Sequence, residues 1–504
     1  MSRLTDYFYN NAAKQPEKQA IWCDGKTATY GYFADMVTRI ANMLLQNGVK
    51  PGDRIGIPMN NSIESAALFF AAAEIGVALA PINPTLPAPA IKTAFDSVGV
   101  SCIIARKSFY SHFKQENAVC FCMEAAQVEG TIPFDSWKDY SNVRPGITVE
   151  DDATLILTLT SGSTGDPKPI ELSQRSKIER SFAHVRLYDL VENDRILAAT
   201  PLYHSLAERL VIMPLLIGAT SILLPRFTPN LWLNCIAEQK VTFTIAVSAQ
   251  LSQVSQLLSS PFLPDIDSLR CMVSSSSLLE PHVKRELIEK LHCQFHEMYG
   301  TSETSTVTNI NFAEASHKTN SVGKCLEEAQ IKIVDDNNVE LPVGQVGEII
   351  CKTKLAFKGY YNMPEKTAAA YTDGYFHTGD LGKVDEDGYL YFCGRKKELI
   401  ITGGINVYPL DIENVLQKLD GVAECAAFSY PDERLGEIVA VAIVKEEGAE
   451  LTQKAVQFHC ARNLADFQQP HKIFFLKELP RNTMGKLVKG KLYETVKKGA
   501  ENYD

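Results

Sequence analysis

Residues 54–80 constrain the fold more than any other stretch. Arg54-Ile55-Gly56-Ile57 is a short apolar run with strand character. Asn61 stands where a helix N-cap is expected, with Glu64 three residues on, and an apolar helical stretch continues to about Glu74 before Gly76. Val77-Ala78-Leu79-Ala80 follows as a second buried strand. Strand, helix and strand joined by short links predict parallel sheet with helices packed over it. The preceding segment fits the same scheme. Met36, Val37, Ile40, Met43 and Leu44 repeat at helical spacing over residues 33–46, Gly48 ends the run, and Pro51-Gly52-Asp53 reads as a turn.

The pattern recurs downstream. Leu155-Ile156-Leu157 is a strand entering a polar loop, and residues 212–216, Gly218 and Ser221-Ile222-Leu223-Leu224 read as helix, turn and strand. Near residues 330–360 the style changes. Gln330-Ile331-Lys332-Ile333-Val334 and Gly347-Glu348-Ile349-Ile350 are short strands separated by Asp-Asn-Asn and Pro-Val-Gly turns, which predicts a small antiparallel, β-rich part. Residues from 396 onward predict a small α+β domain. The fold class expected is α/β, with a large N-terminal domain over residues 1–395 and a small C-terminal domain over residues 396–504, divided at Lys396-Lys397.

With 504 residues and 45% hydrophobic content, the chain can bury a large core and is long enough for at least two domains. A formal net charge of −10 argues against a nucleic-acid binder that relies on phosphate contacts. A small anionic substrate held by a few local cations stays open. The start, MSRLTDYFYNNAAKQPEK, lacks the apolar core of a secretory signal. The most apolar stretch, residues 66–73, is roughly half the ~18 residues needed to span a bilayer. Cytoplasm is the expected compartment. The 12 cysteines show no zinc-like spacing, Cys120 and Cys122 included, and are expected to be reduced and mostly buried.

Five segments carry chemistry. Thr160-Ser161-Gly162-Ser163-Thr164-Gly165-Asp166-Pro167-Lys168 follows an apolar strand, and its glycines, hydroxyls and N–H groups suit a phosphate cradle with Lys168 as a cation. It lacks the spacing of a Walker A loop. Tyr299-Gly300-Thr301-Ser302-Glu303 joins an aromatic for stacking, hydroxyls for phosphate, and a carboxylate for Mg²⁺, a hard cation that takes oxygen ligands. Asp380, after Phe376-His377-Thr378-Gly379, can bond both hydroxyls of a ribose. Gly394-Arg395-Lys396-Lys397-Glu398 with Gly403-Gly404-Ile405-Asn406-Val407-Tyr408-Pro409 is the fourth, and Pro480-Arg481-Asn482-Thr483-Met484-Gly485-Lys486 the fifth. Taken singly, each also fits an ordinary turn or strand end.

In this order and at these separations, the segments resemble the adenylate-forming superfamily of acyl- and aryl-CoA synthetases, luciferases and peptide-synthetase adenylation domains. The resemblance runs from Thr29-Tyr30 to Lys486. It implies an N-terminal domain of stacked sheets that binds ATP and a carboxylic acid. It also implies a mobile C-terminal domain that turns between acyl-adenylate formation and transfer to a thiol. Residues 161–168 match the phosphate loop, Tyr299 the residue against adenine, Ser302 a position usually Thr, and Glu303 the Mg²⁺ carboxylate. Asp380 and Arg395 match the ribose contacts, and Lys397 the hinge. Lys486 matches the lysine that bridges the acid and the α-phosphate, where negative charge builds during attack. His204, in Pro201-Leu202-Tyr203-His204-Ser205, matches the mouth of the acid pocket, and Gly403-Gly404 the pantetheine tunnel.

Departures from the pattern are Pro169 after Lys168, where the missing N–H removes a donor, Ser173-Gln174 after the loop, and Ser275-Ser276-Ser277 beside the acid. Met298 stands where malonate-activating relatives carry an arginine, which argues against malonate. Glu208-Arg209 lies inside an otherwise apolar helix, where it pairs internally or touches substrate. The expected reaction is MgATP-dependent ligation of a fatty or aromatic monocarboxylate to coenzyme A. A separate acyl-carrier protein as acceptor, and a non-catalytic nucleotide-binding relative, are the rival readings.

Overall fold

The computed structural model describes residues 3–110, 118–124, 128–159, 168–482 and 486–500. Its contacts divide the chain into two compact units: residues 1–319 with 353–371, and residues 320–352 with 372–504. The β-rich stretches 320–352 and 372–395 therefore group with the C-terminal residues, and position 395/396 falls inside the second unit.

The first unit is α/β. In one sheet Arg54–Pro58 pairs parallel with Ala78–Ile82, Ile55 opposite Leu79, and with Cys102–Ala105. This is the expected strand–helix–strand unit. Its helix, Ile63–Ile75, is apolar on every face and accordingly buries every residue except Glu64. Glu74, fully buried, is held by Arg144 through two bonds of 2.9 Å.

The cap of that helix corrects the sequence reading. Ser62, not Asn61, is the N-cap and accepts from the Ser65 N–H at 3.1 Å. Asn61 is drawn into tertiary bonds instead. Its amide donates to the carbonyls of Thr200 and Leu224 at 3.0 and 2.7 Å, and its oxygen accepts from Leu202 N–H at 2.8 Å.

In the other sheet of this unit, Arg195–Ala198, Phe243–Val247, Cys271–Ser275 and Gln294–Thr301 run parallel in that spatial order. The chain then reverses, and Gln294–Thr301 pairs antiparallel with Ser305–Asn311. The Tyr299–Glu303 segment thus sits at the end of the parallel run. The expected strand at 155–157 lies in Thr154–Thr158, the helix at 212–216 in Ser205–Ile217, and the strand expected at 221–224 is Thr220–Leu223, ending one residue earlier.

The second unit is mostly antiparallel. Tyr375–Val384 pairs with Gly347–Thr353 and with Tyr389–Arg395. Farther along, Gly436–Lys445 pairs antiparallel with Val422–Asp432 and parallel with Lys472–Leu476. Alternation along Gly436–Lys445 builds two cores. Val439, Val441 and Ile443 pack with Ile412, Leu416 and Val456, whereas Ala440 and Ala442 pack with Phe428, Leu492 and Val496.

All 12 cysteines are free thiols, most of them buried and Cys325 exposed. Among the described residues no helix is long and apolar enough to cross a membrane.

Candidate active site

In the first unit, Tyr299, Gly300 and Thr301 end the strand Gln294–Thr301, with a register shift between Tyr299 and Gly300. Glycine is required there. A Cβ on Gly300 would lie 1.8 Å from the Ser305 carbonyl oxygen, so the two strands approach too closely for any side chain. The following turn is tied locally, Thr301 N–H donating to Thr304 Oγ1 at 3.1 Å and Thr304 N–H to Thr301 Oγ1 at 3.2 Å. It is also tied from outside. The buried Arg180 guanidinium donates to the carbonyls of Ser302 (3.0 Å), Glu303 (2.8 Å) and Leu355 (2.8 Å). Phe357 N–H adds a 2.6 Å bond to Glu303 O. The Glu303 carboxylate accepts from Tyr360 Oη at 3.1 Å, and Lys168 places its ammonium 5.4 Å from the centre of the Tyr360 ring. Burial and the Glu303 charge together hold the Tyr360 hydroxyl protonated, so it donates. Thr160, Ser161, Gly162, Ser163, Thr164 and Gly165 lie outside the described residues.

His204 immediately precedes the helix Ser205–Ile217 and stacks at a tilt on Tyr203, ring centroids 4.4 Å apart. Burial lowers its pKa to about 4, so the ring is neutral at physiological pH. Its Nε2 is buried without a hydrogen-bond partner among the described residues. The sequence departures have structural uses. Ser173 caps the helix Gln174–Leu187, accepting from Ser176 N–H at 3.2 Å, and Gln174 donates to Ala73 O at 2.8 Å in the core. Pro169 contributes its carbonyl, which accepts from Tyr361 N–H at 2.9 Å. Ser276 takes φ +75°, a left-handed conformation that strains a residue with a Cβ.

In the second unit, Asp380 and Arg395 are direct cross-strand partners, Arg395 Nε lying 3.5 Å from Asp380 Oδ1. Asp380 is buried, and its N–H donates to Thr378 Oγ1 at 3.1 Å. Beside them, Glu348 receives Lys396 at 3.0 Å and His377 at 3.2 Å. Lys486 belongs to the same charged group. Burial, and then the Arg395 charge, lower its pKa to about 8 against the support of Asp380 and Glu398. Asp380, Arg395 and Lys397 are thus each within electrostatic reach of Lys486, although Lys486 is distant in sequence. Lys397 sits exposed in the short 3₁₀ turn Lys396–Glu398. Gly403 and Gly404 have φ +56° and +85° and join Ile400–Thr402 to Ile405–Val407, so a tight two-residue hairpin turn already demands glycine here.

Sequence reasoning missed Arg180, Lys177 and Tyr360. The signal was present for two of them. Lys177, Arg180 and His184 recur at helical spacing on one face of Gln174–Leu187, a face the fold buries. Both members of the Glu208-Arg209 pair find hydrogen-bond or ion-pair partners inside the protein, on other elements. Glu208 meets Lys177 at 2.5 Å, whereas Arg209 meets His184 Nε2 at 3.1 Å and Ser305 Oγ at 3.5 Å.

Comparison with known proteins gives the family. The family model described as AMP-binding enzyme matches residues 8–361, and that of the AMP-binding enzyme C-terminal domain matches residues 411–486. An indoleacetate–CoA ligase of Aromatoleum aromaticum is 30% identical over 98% of either chain. The fatty acid–[acyl-carrier-protein] ligase ScoC of Streptomyces coeruleorubidus is 30% identical over 96% of this chain and 94% of its own. ATP-bound MatB from Rhodopseudomonas palustris superimposes with a TM-score of 0.89 at 29% identity, covering 98% of this chain and 99% of the other. The chain belongs to the AMP-binding enzyme family.

Proposed function

We propose that the protein is an AMP-forming acid–thiol ligase that activates a fatty or aromatic monocarboxylate with ATP and transfers the acyl group to coenzyme A. The observation that carries this reading is the group formed by Asp380, Arg395 and Lys486. A lysine whose pKa is pulled down by burial and by an arginine gains a further anionic partner when phosphate oxygens arrive, which favours its charged form.

In the first step an oxygen of the acid attacks the α-phosphorus of ATP, and the bond to pyrophosphate breaks. Lys486 is assigned to the α-phosphate and acid oxygens, where charge accumulates. Asp380 and Arg395 are assigned to the ribose, Tyr299 to the adenine, and residues 160–165 with Lys168 and Thr301 to the phosphates. Gly300 admits the close strand approach that sets Tyr299 and Thr301. Glu303 suits Mg²⁺, since it offers a hard oxygen donor, half-exposed and oriented by Tyr360. Bound there, the ion would offset phosphate charge. Ser302 keeps the hydroxyl of this motif, and neutral His204 faces the acid. In the second step the thiol sulfur attacks the acyl carbon, and AMP leaves. Residues 396–504 are assigned as the mobile domain with Lys397 at its hinge, Gly403 and Gly404 lining the thiol's path, and the protein works in the cytoplasm. An acyl-carrier protein as acceptor is the second reading, favoured by the likeness to ScoC.

The test is mass spectrometry of the protein incubated with MgATP, coenzyme A and a pool of fatty, aromatic and dicarboxylic acids. A new acyl-CoA with AMP is the expected product. Acyl-adenylate and AMP without a thioester would move the acceptor to a carrier protein. Pyrophosphate release absent with every acid would overturn the enzyme reading.

A further inference from the structure

Behind the Ser302–Glu303 turn, between the helices Gln174–Leu187 and Ser205–Ile217, lies a cavity of about 10 Å³, lined by Lys177, Arg180, Ser181, Ser205, Arg209 and Ile212. That volume admits one group about the size of a water molecule. Its walls carry three buried cations. Glu208, paired with Lys177 at 2.5 Å, is also within electrostatic reach of Arg180 and Arg209. Glu303 lies within electrostatic reach of Arg180 but spends its side chain on Tyr360. His184, held neutral by burial and by the Arg209 charge, adds nothing. Counting both carboxylates, the walls keep a positive excess. Among the described residues Arg209 has no carboxylate within 4 Å, and it donates to a neutral imidazole and a hydroxyl. Burial pulls the guanidinium of Arg209 down to about 10, against the opposing pull of Tyr188 and Glu208. Uncompensated buried charge is among the most costly features a fold can carry.

We propose that this cavity is a binding site for one small monovalent anion, of halide or carboxylate-oxygen size, held by Arg209 and Lys177. Because Arg180 lines the cavity and also grips the carbonyls of Ser302 and Glu303, occupancy would steady the turn that carries Glu303. The occupant is a free anion or, if the acid-activating reading above holds with a diacid in place of the monocarboxylate, the second carboxylate of that substrate. Ser205, on the cavity wall, follows His204 directly.

Two arms separate these sources. In the first, thermal unfolding of the full-length protein is followed in sodium bromide or chloride against sodium gluconate, an anion too large for the cavity, at constant ionic strength. A free-anion site predicts a saturable rise in Tm of about 2 °C at ten times the Kd. It also predicts loss of that rise in Arg209→Met and an anomalous bromide peak between Arg209 and Lys177 in wild-type crystals. The crystal measurement stands even if the variant fails to fold. In the second arm, pyrophosphate release is compared for hexanoate and adipate. A substrate carboxylate predicts preference for adipate that falls at least tenfold in Arg209→Met. The halide arm reads the site even if no acid turns over. No halide response, no bromide peak and no diacid preference together would mean that water alone fills the cavity, and the proposal would be wrong.

Discussion

Lys284 and Lys486 are both lysines withdrawn from water, one in each unit, and their surroundings differ in kind. Lys284 is fully buried, meets Glu297 at 2.5 Å, and donates to the Thr319 carbonyl at 2.9 Å. An opposite charge and a backbone carbonyl hold it. Lys486 is surrounded by Arg395 and Lys397 as well as Asp380 and Glu398, and its pKa falls to about 8. A matched pair uses charge to hold a fold. A lysine opposed by like charge in a dehydrated setting gives up stability and gains affinity for an added anion.

Substitutions at the two lysines sharpen that contrast. Lys486→Ala should carry the largest effect, lowering acid-dependent pyrophosphate release by about a thousandfold or more. Thioester formation from supplied acyl-adenylate should survive. Equal loss of both steps would erase the distinction between a lysine serving one anion and a structural one. At the other lysine, Lys284→Met should strand Glu297 and cost about 3 kcal/mol in denaturant unfolding. The double variant Lys284→Met with Glu297→Leu should recover most of that loss. If the double variant is as unstable as the single, the pair is not a self-contained structural unit.

The smallest expected effect is on pH dependence. The folded pKa of Lys486 lies below the ordinary lysine value of 10.5, so between about 8 and 10.5 the unfolded chain binds more protons than the folded one. This group therefore destabilises the fold below pH 8, and the penalty is relieved as pH rises toward 10.5. Activity moves the other way, because the charged form does the work. The kcat/KM for adenylate formation, which reports the free enzyme, should fall about tenfold per pH unit above pH 8. The limb for kcat should lie higher, since bound phosphates hold the proton on. An alkaline limb that stays in place in Lys486→Arg would assign it to another group.

Local features of the fold were legible where one residue type answers one backbone demand. The helix Ile63–Ile75 follows from an unbroken apolar run ended by Gly76, which caps it at φ +69°. The hairpin at Gly403 and Gly404 follows from two positive φ values. Asn61 shows where that reasoning stops. Its type suits a helix cap, but three tertiary partners on residues 200–224 claim it, and the adjacent Ser62 does the capping. The grouping of residues 320–352 with the C-terminal half was equally invisible, because strand pairing across distant segments leaves no local mark.

The sequence by itself determined the chemistry on offer: the order of five motifs, their residue types, and through them the family. Such motifs are written in short runs where spacing alone sets which groups meet. Only the tertiary structure decided which charges are buried together. Lys177, Arg180, Glu208 and Arg209 read as scattered charges along two helices. They become one dehydrated, positively biased cluster only because those helices pack face to face beneath the Glu303 turn. Burial and distance set the energy of a charge, and both are properties of the packed chain.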